Sequence, residues 1–151
     1  MVEAVFDTVI FVRALINPFS RCGRLVFAHH GTYRLILSPP LIGEILRVLA
    51  RPEVRVKFRR LTPDLVLRFA AILDDAGVVV TPLIESVSRD PNDDKVLAAA
   101  KAGRAGYLVT EDADLLTLGE YAGTKIVTAE AFLRLLGEGG GDEPASGRMP
   151  R

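Results

Sequence analysis

Residues 93–116 read "DDKVLAAAKAGRAGYLVTEDADLL", and this stretch decides which class of fold the sequence predicts. An alanine-rich segment with helical spacing ends at Gly103, a strand candidate "GYLVT" follows, and acidic residues come directly after it. A helix followed at once by a short aliphatic strand is typical of folds that alternate helices and parallel strands. Because the alternation recurs along the chain, we predict an α/β fold: a single three-layer α/β/α domain around a mostly parallel sheet.

Short aliphatic runs and helix caps divide the rest of the chain. The predicted strands are "EAVFD", "YRLILS", "GVVVT", "GYLVT" and "TKIVT", which makes a sheet of about five strands. Helices are predicted behind Ser38, Thr62, Asn92 and Thr128, each a residue type that caps helix N-termini, with Gly77 as the stop of the second. The domain should span residues 1–137. Residues 138–151 lack apolar anchors and should form a disordered tail.

Composition narrows the class of protein. The 151 residues carry no formal net charge, which argues against a purely electrostatic nucleic-acid binder. The lone Cys22 cannot form an internal disulfide, and no apolar run approaches the about 20 residues needed to span a bilayer. With no recognisable leader in "MVEAVFDT", we expect a cytoplasmic protein without a membrane partner.

Charge is unevenly distributed along the sequence. Six basic residues lie between positions 47 and 60, where Glu53 is the single acid. The acids gather elsewhere, at Asp90, Asp93, Asp94, Glu111, Asp112 and Asp114. Arg47, Arg51, Arg55 and Arg59 recur every four residues, which could form a phosphate-binding stripe, although Pro52 interrupts the helix and a solvated surface is the commoner explanation of such a pattern.

Four carboxylates are candidates for a shared site. Asp7 and Asp112 follow predicted strands, at the sheet edge where α/β folds bind ligands, although each alone could simply begin a turn. Glu44 lies on the margin of a helical apolar stripe, where it fits a solvated helix face as well as a carboxylate that leans over the sheet edge. Asp94 inclines toward the buried side of its helix. Two carboxylates about 4 Å apart repel by roughly 4 kcal/mol at an effective dielectric of 20, so convergence requires a cation. All-oxygen ligands favour Mg²⁺ or Mn²⁺ over zinc, since no histidine lies near these motifs.

Four segments together carry a family resemblance. "VFDT", "LSPPLIGEIL", "RDPNDDKVLAAA" and "YLVTEDADLL" resemble, in order and spacing, the PIN-domain nucleases. More narrowly, the chain is similar to the VapC-like branch of that family, the toxin components of toxin-antitoxin systems. The likeness extends from about residue 2 to residue 136.

The resemblance implies a metal-dependent ribonuclease that binds Mg²⁺ or Mn²⁺ and cleaves an RNA phosphodiester. Asp7, Glu44, Asp94 and Asp112 match the family's catalytic and metal-binding acids, with Asp93 and Asp114 as alternative ligands. Thr8 and Thr110 match positions whose hydroxyls orient a carboxylate or a metal-bound water. A cognate antitoxin and a homodimer are the partners that it implies besides RNA.

One position departs from the family pattern. The first strand usually ends in aspartate, threonine, asparagine, and here Val9 stands at the asparagine position. Losing an amide that orients neighbouring carboxylates can cost about 10 to 100-fold in affinity or activity. The alternative is therefore a PIN-like module, weakly active or inactive, that binds RNA or protein. A phosphatase of the haloacid dehalogenase type is disfavoured because it needs an aspartate where Val9 stands, and a receiver domain because "GVVVTPL" offers no phosphoacceptor.

Overall fold

A computed structural model describes residues 1–81 and 91–138, with the backbone alone described for residues 91 and 92. Its strands are β1 (Val2–Phe6), β2 (Tyr33–Leu37), β3 (Gly77–Val78), β4 (Tyr107–Val109), β5 (Glu120–Tyr121) and β6 (Thr124–Val127). Its helices are α1 (Thr8–Ile16), α2 (Arg21–Gly23), α3 (Pro39–Leu49), α4 (Pro52–Arg55), α5 (Pro63–Asp75), α6 (Pro91–Gly103), α7 (Ala113–Leu118) and α8 (Ala129–Leu135). A π-helical turn, Arg24–Ala28, follows α2 directly.

The strands form one sheet in the order β3-β2-β1-β4-β6-β5. Every neighbouring pair is parallel except β5 and β6, which form an antiparallel hairpin. The strand order runs one way from β1 to β3 and the other way from β4 to β6, so it reverses between β1 and β4. The predicted α/β fold with a mostly parallel sheet is confirmed.

Alternate residues of each central strand pack into two different cores. Ala4 and Phe6 of β1 belong to a cluster with residues of α1, α5 and α8, whereas Val5 belongs to a second cluster with residues of α6 and α7. Successive side chains of a strand point to opposite faces, so helices cover both faces of the sheet. This arrangement is the predicted three-layer one.

Three of the predicted N-caps are confirmed. The side chains of Ser38, Thr62 and Thr128 accept hydrogen bonds from the backbone at the starts of α3, α5 and α8. The proposed cap Asn92 is not at a cap position, because α6 already begins at Pro91. Gly77 does not stop α5 either: the helix ends at Asp75, and Gly77 begins β3.

Two predicted elements differ in extent from the structure. The strand "GVVVT" is ordered as a strand only at Gly77–Val78, and β5 is an additional, sixth strand that the sequence did not suggest.

Glu138, the first residue assigned to the tail, accepts hydrogen bonds at 2.8 Å from Arg24 and pairs at 2.6 Å with His29. The rest of the predicted tail, residues 139–151, lies outside the described residues. Within the described part of the chain, no helix combines the length and the apolar character needed to cross a membrane.

Candidate metal centre

Asp7 and Thr110 meet where the strand order reverses. Asp7 follows β1 and Thr110 follows β4, and these two strands are parallel neighbours. The Asp7 amide donates to the Val109 carbonyl at 3.0 Å, and the Thr110 hydroxyl donates to Asp7 Oδ2 at 2.8 Å. Ligand sites of open α/β sheets lie in the crevice at such a reversal. Thr110 thus fixes the Asp7 carboxylate at the expected place.

The same threonine connects Asp7 to the acids at the start of α7. Thr110 Oγ1 accepts from the Asp112 amide at 3.0 Å, and Asp112 Oδ1 accepts from the Asp114 amide at 2.8 Å. Asp112 therefore caps α7 and also faces the acids across the sheet edge. One short loop orients both carboxylates.

Glu44 reaches this edge from helix α3. It is buried, and its Oε2 accepts a 2.6 Å hydrogen bond from the Thr8 hydroxyl. Its Oε1 lies 3.3 Å from Lys95 Nζ on α6. The N-cap Ser38 fixes the residue at which α3 begins. It thereby helps to set the position of Glu44 in the helix relative to the sheet edge.

Helix α6 contributes Asp93 and Asp94, which are both buried in its first turn. One carboxylate oxygen from each of Asp93, Asp112 and Asp114 lies within 4.8 Å of the other two. Among the described acids, the geometry therefore places Asp93, rather than Asp94, in the carboxylate cluster. The sequence-based assignment of Asp94 as a ligand stays a prediction.

A cavity of about 320 Å³ joins these groups. Its lining comprises Asp7, Thr8, Val9, Val12, Glu44, Arg47, Val48, Arg51, Asp93 and Asp112. The cavity is thus lined by acids from the β1–α1 junction, α3, α6 and the β4–α7 loop, whereas Asp114 is not part of its lining. Asp94 is not part of this lining.

Burial and repulsion act on Asp7 in the metal-free protein. Burial raises the pKa of Asp7, the nearby Asp112 and Glu44 carboxylates raise that pKa further, and the Thr110 hydrogen bond opposes them. A group whose ionised form is disfavoured by neighbouring anions is stabilised by a cation placed among them.

The donor chemistry suits a hard divalent ion. Asp93, Asp112 and Asp114 offer carboxylate oxygens only, the ligand type that Mg²⁺ and Mn²⁺ prefer. His29 and His30, the histidines of the sequence, contact Glu138 and Asp75 instead. The residues present therefore fit such an ion and offer no zinc-type set among the described side chains.

Comparison with known sequences decides the family. A sequence model described as PIN domain matches residues 3–114. The chain belongs to the PIN-domain family. A comparison with curated protein sequences finds no match.

Two solved structures resemble this PIN domain in fold. PAE2754 from Pyrobaculum aerophilum shares 19% identity, with a TM-score of 0.55 and 89% of each chain covered. VapBC2 from Rickettsia felis, bound to a DNA fragment from its promoter, shares 10% identity with a TM-score of 0.53. That match covers 83% of this chain and 98% of the other. At these identities the likeness concerns the fold alone.

The arginines of the predicted stripe separate into two pairs around the PIN-domain cavity. Arg47 near the end of α3 and Arg51 at the start of α4 line the cavity. Arg55 and Arg59 are also exposed but do not line it. The break at Pro52 therefore divides the stripe, and the arginines that precede it line the same cavity as the acids.

Lys95 is the site residue that sequence reasoning missed. Its ammonium contacts Glu44, a contact between two helices that are far apart in the chain. A signal was present, because a basic residue directly follows two acids in "DDK". Which way it points depends on how α6 packs against α3.

Proposed function

We propose that this PIN domain is a metal-dependent endoribonuclease that hydrolyses RNA phosphodiester bonds in the cytoplasm. The observation that supports this most strongly is the convergence of Asp7, Glu44, Asp93 and Asp112 on one cavity. Burying several acids together destabilises a fold unless positive charge is supplied. A site that retains this arrangement is suited to binding a divalent cation.

Asp93, Asp112 and Asp114 are the residues that would hold the ion, with Asp7 next to them. The bound cation would activate a water nucleophile and neutralise charge developing on the phosphate. Thr110 holds the Asp7 carboxylate in place, and Thr8 does the same for Glu44. The family resemblance also implies Glu44 and Asp94 as ligands.

Arg47 and Arg51 would bind the substrate backbone. Both line the cavity that the acids enclose, and guanidinium groups pair with phosphate in a bidentate manner. Positive charge at the rim would draw an RNA strand across the acidic centre and hold the phosphates that flank the cleaved one. The acids alone would repel the substrate.

The biological role that we propose is that of the toxin in a toxin-antitoxin pair. It rests on the sequence resemblance in "RDPNDDKVLAAA" and "YLVTEDADLL", and the VapBC2 neighbour is compatible with it in fold. The partner would be a cognate antitoxin, and a homodimer is the proposed assembly. Purification of the chain with the product of an adjacent gene would test the pairing.

One observation favours a second candidate function, an RNA-binding or protein-binding module without cleavage. Val9 is 43% exposed and lines the cavity at the position where the family has an asparagine. An apolar side chain there cannot donate a hydrogen bond to a carboxylate or a water. Val9→Asn should therefore increase cleavage if the missing amide limits activity.

A cleavage assay separates the two functions. Purified wild type should shorten a labelled single-stranded RNA in Mn²⁺ or Mg²⁺ and not in chelator, and Asp112→Asn should be inactive under all conditions. Asn still caps a helix, so this variant keeps α7 while losing a charge. RNA that is retained but never shortened, in either metal and also by Val9→Asn, would contradict the nuclease proposal.

A further inference from the structure

Lys95 brings a positive charge to the edge of the acid cluster. Its Nζ lies 3.3 Å from Glu44 Oε1, and the two side chains are only 23% and 9% exposed. The other carboxylate oxygen of Glu44 accepts the 2.6 Å hydrogen bond from Thr8. Both oxygens of Glu44 therefore already have partners within the chain.

This pairing leaves little place for a metal ion at Glu44. An Mg²⁺ ion lies about 2.0–2.1 Å from its oxygen ligands, so an ion on Oε1 would come close to the Lys95 ammonium. Like charges repel strongly when water is partly excluded, as it is here. The oxygens of Asp93, Asp112 and Asp114, by contrast, form a set to which Glu44 does not belong.

We infer that Lys95 supplies, beside Glu44, the positive charge that a second divalent cation would otherwise bring. The protein then binds one ion, held by Asp93, Asp112 and Asp114 at the edge of the cavity, and Glu44 is not its ligand. Lys95 is a positioning residue that neutralises Glu44 next to the buried Asp7. The inference rests on the proposed function, because it assumes that the acid cluster binds a divalent cation. It departs from the ligand set that the family resemblance implies.

Calorimetric titration of the metal-free full chain with Mn²⁺ tests the role of Lys95. The matched control for Lys95→Met is Lys101→Met, which changes an exposed lysine later on the same helix. Wild type and Lys101→Met should bind one ion. Lys95→Met should bind a second ion, or bind the first at least about tenfold more tightly, because the repelling charge is gone. Identical isotherms for all three proteins would overturn the inference.

Glu44→Gln provides a second test, which does not depend on the folding of Lys95→Met. Glutamine can still accept from Thr8, so the helix packing is kept. If Glu44 is not a ligand, Glu44→Gln should retain the wild-type Mn²⁺ affinity within about threefold, whereas Asp112→Asn should lose at least about tenfold. Equal losses in the two variants would show that Glu44 holds the ion and would overturn the inference.

The same titrations distinguish failure of this inference from failure of the proposed function. Normal binding by the wild type with no effect of Lys95→Met contradicts the inference alone. Binding by Lys95→Met but not by the wild type contradicts the one-ion site of the inference as well as metal-dependent activity of the natural chain. No binding by any of the proteins contradicts both.

Discussion

Asp7 is the carboxyl group on which burial and like charge act together. Burial raises its pKa, Asp112 and Glu44 raise it further, and the unfolded chain keeps a value near 3.8. Between 3.8 and the raised pKa, the folded state holds a proton that the unfolded state has released. The metal-free protein should therefore lose stability as the pH rises through that range.

Replacing Asp7 by asparagine removes this pH dependence. We expect Asp7→Asn to melt above the wild type at neutral pH in chelator, and the difference to vanish as the pH falls toward 3.8. The Thr110 hydroxyl can still donate to the asparagine oxygen. Each kcal/mol gained should raise Tm by about 2–4 °C in a chain of this size. The control is Asp74→Asn, which changes an exposed aspartate. A Tm at neutral pH that is lower for Asp7→Asn than for the wild type would contradict the account.

Asp93 and Asp94 form a natural pair of matched variants. Both are buried in the first turn of α6, so either change to asparagine removes one charge from the same helix end. Since Asp93 lines the cavity, Asp93→Asn should reduce RNA cleavage by about 100-fold or more, and Asp94→Asn should reduce it less. Initial rates with the same RNA measure the difference. A larger loss at Asp94 would restore the ligand assignment made from the sequence.

The helix caps show how local sequence positions the site. Ser38 is fully buried and its hydroxyl accepts from the Leu41 amide, whereas Thr62 makes the equivalent bond in an exposed setting. We expect Ser38→Ala to lower the free energy of unfolding by about 1–2 kcal/mol, and Thr62→Ala by about 0.5–1 kcal/mol. Denaturant titration measures both. A larger loss at Thr62 would mean that burial of the Ser38 cap adds nothing.

Helices that begin with a capping residue and continue with an apolar pattern are the elements that the sequence predicts best. Ser38, Thr62 and Thr128 are cap residues followed by a helical apolar pattern, and all three were identified. The sequence did not predict helix α1, "TVIFVRALI", because this segment is apolar on nearly every side and lacks the periodicity that marks a helix. Strand β5 is a two-residue arm of a hairpin whose turn, Ala122 and Gly123, has positive φ at both positions. Asn-Gly is the usual sequence signal for such a turn, and Ala-Gly is only a weak one.

The site depends on contacts that no local pattern encodes. Asp7 and Asp112 were located correctly at the sheet edge because both follow strands. The choice between Asp93 and Asp94 depends on how α6 rotates against the sheet, and the Lys95–Glu44 pair depends on how α6 lies against α3. Sequence alone therefore located Asp7 and Asp112 at the sheet edge, but it did not give the orientation of helix α6.

The distribution of charge over the whole molecule predicts how RNA binds. Arg47 and Arg51 line the cavity, while Arg55 and Arg59 lie outside it. Changing the first pair to glutamine should weaken RNA binding and flatten its salt dependence, because each lost phosphate contact lowers the slope by about 0.7 for a single strand. The second pair, changed in the same way, is the control. RNA binding measured in chelator at several salt concentrations gives the salt dependence of affinity for both double variants. Equal slopes for the two would mean that Arg47 and Arg51 are solvated surface residues that do not contact phosphate.

The central claim is that the acids converge to bind a divalent cation. Thermal melting of wild type, Asp112→Asn and Asp64→Asn, each in chelator and in Mn²⁺, tests it most directly. Asp64 is an exposed first-turn acid of α5, so its variant controls for the loss of a helix-end charge. A ligand that binds the folded but not the unfolded state stabilises the protein, and this stabilisation becomes smaller as the affinity falls. Mn²⁺ should therefore raise the Tm of wild type and Asp64→Asn, and the rise should largely disappear in Asp112→Asn. An equal rise in all three proteins, or none in the wild type, would contradict the account.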